Sequence, residues 1–328
     1  MSGGIVGSGD RMRIARAAVV GLAMLAAASV ARAEDAVAWL TRAGTAARQL
    51  NYVGTIVYQR GPSTETSRLV HLYDLGEEYD KLVNLEGPAR EVIRSHGEVR
   101  CFYPDLKLVR VEPRTFRNVF PSLSAQQQKA LADFYNFQKA ETVRVAGLET
   151  QAWVFEPKDG LRYGHKFWTD VATGLIVRAR VVDEHKGVLE QFAFTEVTIG
   201  AKIDPQMVKP TWPSTPQGWK VRQLGKVESE SEETGWTVTR IPPGFVKIVD
   251  GFRRVQTTRK VAHLVYSDGL VAVSVFVEPG RAAPPPNGFS AQSGLNVYSR
   301  QLDDNLVTVL GQVPALTLRQ IANSVARR

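Results

Sequence analysis

Between Tyr52 and Ile199 the chain is a succession of short β-forming runs separated by turn residues, and that pattern constrains the fold more than any other feature. Tyr52–Arg60, Arg68–Tyr73, Glu77–Leu85, Glu91–Ser95, Val99–Tyr103 and Lys107–Val111 are rich in residues that favour a pleated backbone. Gly, Pro, Asp or Asn punctuates most of the gaps, with His96-Gly97 and Pro104-Asp105 as the clearest turns. A short helix is expected from Ser124, where Ser124 and Gln127 have the spacing of a capping box. Strands resume at Glu141–Val145, Gly147–Glu156, Tyr163–Asp170, Leu175–Asp183 and Val188–Ile199. Ala172-Thr173-Gly174 and His185-Lys186-Gly187 read as hairpin loops. Ahead of all this, Glu34 to Leu50 reads as a helix, because Ala36, Leu40, Ala43, Ala47 and Leu50 recur on one face. About eleven meandering strands with two helices predict an antiparallel sheet curled around a helix or a ligand space.

A composition break follows. Pro205, Pro210, Pro213 and Pro216 come close together, and Glu228, Glu230, Glu232 and Glu233 succeed them. Proline stiffens a connection and removes backbone donors, while clustered Glu favours solvent, so residues 210–234 are expected to link two domains. A length of 328 residues suits that number. The second domain, residues 235–328, begins with a strand at Trp236–Arg240 and carries a Pro-rich loop around Pro284-Pro285-Pro286. Residues 263–277, HLVYSDGLVAVSVFV, are two apolar strands joined at Asp268-Gly269, which predicts a hairpin with a tight primed turn. Residues 296–325 predict a strand, a turn at Asp303-Asp304-Asn305, a second strand and a helix. That helix has Pro314 near its first turn and Leu318, Ile321, Ala322 and Val325 on one face.

The first 33 residues read as an address. Arg11, Arg13 and Arg16 precede an apolar stretch from Ala17 to Val30, and Ala31-Arg32-Ala33 fits the small-x-small cleavage pattern. A cleaved export signal with a mature start at Glu34 is therefore expected, since the apolar run falls short of the roughly 20 residues that span a bilayer. Cys101 is the one cysteine, so no internal disulfide forms in an oxidising compartment, and a small buried hydrophobe is its expected role. The formal net charge of +8 is spread without a basic block, and no nucleic-acid motif is present.

Motifs for catalysis are missing. There is no Gly-x-Ser-x-Gly, His-Glu-x-x-His or Cys-x-x-Cys, and His71, His96, His165, His185 and His263 lack metal-ligand spacing. The expectation is a protein that is not an enzyme and holds no metal or cofactor.

Aromatic residues carry more information. Trp153 and Phe155 share one strand face, as do Phe192 and Phe194, while Phe167 and Trp168 point to opposite faces, so at least one of that pair is expected off the main core. These six are candidates to line a lipid site, with Arg68, Arg90, Arg94 and Arg100 as candidates for a basic rim. The plainer reading is a core face of aromatics. Arg178 and Arg180 share a face expected to be solvated, opposite Val177, Ala179 and Val181.

The two C-terminal stretches resemble the MucB/RseB family, chiefly in Tyr266-Ser267-Asp268-Gly269-Leu270 and in Val307 to Pro314. Pro243-Gly244-Phe245 and the first strand, Asn51 to Tyr58, are similar too. The resemblance implies an α+β fold, with an N-terminal LolA/LolB-like unclosed antiparallel β-barrel with helices over residues 34–209 and a smaller C-terminal α/β domain. It implies a periplasmic negative regulator that binds the periplasmic part of a membrane anti-sigma factor of the RseA or MucA type. Such a regulator shields its partner from proteolysis, and lipid or lipopolysaccharide releases it. Tyr266, Asp268 and Gly269 are the partner-binding candidates. A periplasmic lipid or lipoprotein carrier is the alternative, which the second domain disfavours, and a homo-oligomer is left open.

Overall fold

The computed structural model describes residues 36, 38–113, 131–223, 233–255, 259–280, 288–292 and 295–328. The expected export segment and the Ser124 capping box lie outside them.

Two meanders build the first sheet. The first comprises β1 (Tyr52–Arg60), β2 (Ser63–Asp74), β3 (Glu77–Asn84), β4 (Glu91–Ser95), β5 (Glu98–Tyr103) and β6 (Leu108–Pro113). The second comprises β7 (Tyr135–Val145), β8 (Leu148–Pro157), β9 (Gly164–Asp170), β10 (Ile176–Val182) and β11 (Val188–Ile199). Antiparallel pairing of β1 with β11, from Tyr52↔Ile199 to Arg60↔Glu190, zips the two meanders together. Gly54 makes that approach possible, since a Cβ there would sit 2.4 Å from the Glu196 carbonyl and 2.8 Å from the Phe194 ring. With β12 (Lys220–Gln223) the sheet has 12 strands, in the order β12-β6-β5-β4-β3-β2-β1-β11-β10-β9-β8-β7. Its ends, β12 and β7, do not pair, so the sheet is unclosed.

Helix α1 (residues 38–49) covers one face of this sheet. Ala36, Leu40 and Ala43 share a core with Trp153, Phe155, Phe167 and Ile176, and Ala46 and Ala47 share one with Tyr52, Phe192 and Phe194. Alanine on the buried side lets a helix approach large rings closely, which fits this division of sizes. A polar chain fixes the end of the helix. His71 Nε2 lies 3.1 Å from the Arg48 carbonyl, its Nδ1 lies 2.6 Å from Asp80, and the Tyr52 hydroxyl donates to the Ala47 carbonyl at 3.1 Å. These groups meet carbonyls that the helix itself leaves unpaired.

The opposite face is covered only in part. Val208 packs on Val70 and Leu72, and Trp212 and Trp219 pack on Ile93, Phe102, Val109 and Val111. Glu91, 2 % exposed, accepts from the Thr211 backbone at 2.8 Å and pairs with Lys81 at 3.0 Å. Residues 210–223, expected to link, thus lie on the first sheet, where Lys220–Gln223 pairs parallel with Leu108–Val111. Tryptophan burial and the Glu91 ion pair outweigh the stiffness that the prolines suggest.

The second sheet has six antiparallel strands in the order β14-β15-β16-β19-β18-β17. These are β14 (Val246–Val255), β15 (Arg259–Ser267), β16 (Ala272–Pro279), β17 (Gly288–Gln292), β18 (Leu295–Leu302) and β19 (Asn305–Gly311). Pro314 caps α2 (Ala315–Asn323), whose Leu318, Ile321 and Ala322 close a core with Leu264, Val275, Val307 and Val309. A short pair, β13 (Trp236–Val238) with β20 (Val325–Arg327), completes the domain. One expectation changes here. The β15–β16 connection is the four residues Asp268–Val271, with positive φ at Gly269 (102°) and not at Asp268, so it is no two-residue primed turn. The Asp268 side chain, accepting from the Leu270 and Val271 backbone at 3.0 Å each, supplies the reversal.

Candidate functional site

Asp268 reaches beyond its own loop. One carboxylate oxygen accepts the two backbone bonds, while the other accepts from the Tyr135 hydroxyl at 3.0 Å and lies 3.4 Å from Arg162 Nη1. Tyr135 opens β7 and Arg162 sits between β8 and β9, so the C-terminal hairpin is docked on the N-terminal domain. The Arg162 and Asp268 side chains are both 0 % exposed. Arg162 also donates to the Pro243 carbonyl at 2.6 Å and to Asp159 at 3.2 Å. Its guanidinium lies 4.8, 5.7 and 5.2 Å from the ring centres of Phe134, Tyr135 and Phe245, which come from both domains. Planar, delocalised charge suits this setting better than an ammonium does, because it stacks on rings and donates in several directions. Burial pushes the Asp268 carboxyl up, opposed by its backbone donors, Arg162 and Tyr135.

Smaller contacts surround this centre. Thr317 Oγ1 donates to the Leu161 carbonyl at 2.7 Å, Asn296 Nδ2 to the Tyr163 hydroxyl at 3.0 Å, and Gln312 Nε2 to Glu190 at 2.7 Å. Leu270 packs against the core that holds Tyr135, Phe137 and Phe155. Gly244 has φ of +84°, and a Cβ on it would fall 2.4 Å from the Phe134 ring, so both its backbone and its missing side chain serve the joint. Beside it His165, with burial pulling its pKa down to about 4, stacks on Phe167 at 5.9 Å as a neutral ring.

The six aromatic candidates fall in three places. Trp153, Phe155 and Phe167 lie under the first half of α1, with Trp39 at 5.7, 5.6 and 5.7 Å from their ring centres. Phe192 and Phe194 lie under its second half, edge to face at 5.3 Å. Trp168 is on the opposite face by strand alternation yet only 2 % exposed, since it packs in a cluster with Val145, Ala152 and Val177, and Lys166, Arg178 and Arg180 lie over its ring. Both Phe167 and Trp168 are therefore buried, and the face expected to be solvated holds a stacked cationic group.

The basic candidates are not brought together. Arg94 lies on the α1 face through the register Arg94↔Asp80↔His71↔Tyr52 and pairs with Asp80 at 3.1 Å. Strand alternation puts Arg68 and Arg100 on the other face, where they pair with Glu196 and Glu98. Arg90, just before β4, pairs with Glu65 at 2.6 Å. Of the partner-binding candidates, Tyr266 is in the C-terminal core, Asp268 is held in the joint, and Gly269 is half-buried at its rim. Arg162 and Tyr135 are the site residues that sequence reading misses, and a buried arginine carries no local signal.

Comparison with known proteins places these features. The model of the MucB/RseB N-terminal domain matches residues 35–212, and that of the MucB/RseB C-terminal domain matches residues 230–326. The sigma factor AlgU regulatory protein MucB of Pseudomonas aeruginosa is 32% identical over 313 residues, covering 93% of this chain and 95% of that protein. The sigma-E factor regulatory protein RseB of Escherichia coli K12 is 26% identical over 291 residues, covering 88% and 89%. Among solved structures, MucB in complex with MucA(peri) superposes with a TM-score of 0.70 at 29% identity, over 89% of this chain and 99% of that one.

Proposed function

This chain belongs to the MucB/RseB family, and from that premise we propose that it holds the periplasmic part of a membrane anti-sigma factor and keeps it from the proteases that would release the sigma factor. The observation that carries this reading is the likeness to MucB in its complex with MucA(peri), which extends over both domains and not over one sheet alone. The relatives are named as regulatory proteins, which agrees with a binding role and not an enzymatic one. Export fits the same role: the signal at residues 1–33 would be cleaved to start the mature protein at Glu34, in the periplasm where the partner segment lies.

In this reading residues 34–209 and 235–328 are the two working domains, and the 210–234 segment ties the second to the first. The anti-sigma segment docks on the C-terminal domain and along the line where the domains meet. Lipid enters between α1 and the rings of Trp153, Phe155, Phe167, Phe192 and Phe194, and changes how the domains sit. If lipid lowers affinity for the partner, the partner lowers affinity for lipid by the same factor.

Calorimetric titration of the purified protein with the periplasmic domain of its cognate anti-sigma factor tests this, with and without lipid. Saturable binding that lipid weakens is expected. A flat titration in both conditions removes the regulator. Flat binding of the partner together with lipid transfer to a membrane acceptor would favour a carrier.

A further inference from the structure

On the first sheet, the face opposite α1 carries three cations that converge on one ring. Lys166 Nζ lies 4.9 Å from the Trp168 ring centre, and the Arg178 and Arg180 guanidinium carbons lie 5.4 and 5.2 Å from it. Adjacent strands enforce this: Arg178 pairs with Trp168 and Arg180 with Lys166 in the β10–β9 register. Like charges on a common platform repel, and their partners offset that repulsion only in part. Lys166 pairs with Glu141 at 2.8 Å, and Arg180 Nε donates to the neutral Gln191 at 2.5 Å. Arg178 makes no hydrogen bond or ion pair with any described residue, and its Nε is buried without an acceptor. Burial, and then Arg180, pull the Arg178 guanidinium down, in keeping with a charge that lacks a counterion.

We propose that Lys166, Arg178 and Arg180 around Trp168 form a binding site for a phosphate group. Three cations less the Glu141 carboxylate leave two positive charges, which one dianionic phosphate matches and one carboxylate does not. Guanidinium forks fit phosphate oxygens in pairs, and the ammonium adds a point charge. The Trp168 ring holds the cations in place before the anion arrives, so little side-chain freedom is lost on binding. The three cations lie on the sheet face away from α1, although Trp168 itself belongs to the same hydrophobic cluster as Phe192 and Phe194, and the proposal does not depend on the regulator reading.

The source of the phosphate is resolved by two probes on the purified protein. One is inorganic phosphate, followed by calorimetry. The other is co-sedimentation with phosphatidylcholine vesicles containing phosphatidic acid, whose phosphomonoester headgroup can carry the second charge, against vesicles of phosphatidylcholine alone. Binding to both probes identifies a site for phosphate in general, and binding to the anionic vesicles alone identifies a lipid headgroup site; either supports the proposal. R178Q/R180Q should weaken binding roughly tenfold or more, since it removes both charge-assisted forks. E141Q, which frees Lys166, should strengthen binding, a gain that misfolding cannot produce. R68Q, on the same face but already paired with Glu196 at 3.0 Å, should bind as the unaltered protein does. No binding to either probe overturns the proposal. So does R178Q/R180Q with unchanged affinity, or R68Q with an equal loss, which would mean diffuse attraction in place of a site.

Discussion

Arg162→Ala is expected to destabilise the protein by about 3–5 kcal/mol, the cost of leaving a buried carboxylate without its counter-charge. Both side chains of the Arg162–Asp268 pair are 0 % exposed, so solvent offers Asp268 no relief. The loss is not electrostatic alone. Three rings lose the guanidinium between them, and the Pro243 carbonyl loses its 2.6 Å donor. Arg162→Lys should recover only part of this, because an ammonium cannot stack on Phe134 and Phe245 while reaching both acceptors. Arg162→Met with Asp268→Leu should recover more, since removing both charges avoids the uncompensated one. Denaturant unfolding of the four proteins reads these differences, and Arg162→Ala within about 1 kcal/mol of the parent would contradict the joint as described. The N-terminal sheet and the C-terminal hairpin meet at this pair, so the single variant should also loosen the register between the domains.

The second large effect is expected at Trp153→Ala, about 3–5 kcal/mol as for other buried aromatics. Trp153 is 8 % exposed and stands opposite Phe167 in the β8–β9 register, with Trp39 of α1 at 5.7 Å. Removing the indole leaves a void between helix and sheet that Ala36 and Ala43 are too small to fill. Unfolding at an unchanged denaturant midpoint would mean that the ring lines an open groove. Added long-chain lipid should then raise the midpoint of the variant more than that of the parent, if the space beneath α1 admits an acyl chain.

Much of the first sheet is legible in the sequence because its strands are local objects. β1, β4 and β11 begin and end at the residues that alternation and turn chemistry indicate, and β11 shows its aromatic face at Phe192 and Phe194. β7 begins six residues earlier than expected, at Tyr135, since the bulge between Lys139 and Thr142 breaks the alternation that marks a strand. β14 is hidden by Asp250-Gly251, a turn signal that here lies inside a strand, where Asp250 serves as acceptor for Thr234. The joint is illegible for a different reason. Arg162 and Asp268 are 106 positions apart, and Tyr135 and Asp268 are 133 apart, so no periodicity connects them. Asp268-Gly269 announces a loop; only the folded chain shows that the same carboxylate holds two domains together. Arg178 and Arg180 are likewise readable as sharing a face, whereas the Trp168 ring between them and Lys166 appears only through strand register.

The central claim is that this protein keeps an anti-sigma factor from being cut. The direct measurement is the cleavage rate of the cognate anti-sigma factor by its periplasmic protease, with this protein absent and then at saturating concentration. Cleavage slowed several-fold or more by the intact protein, and restored when lipid is added, is the predicted result. Equal cleavage rates with and without the protein, under conditions where the two are shown to bind, would contradict it.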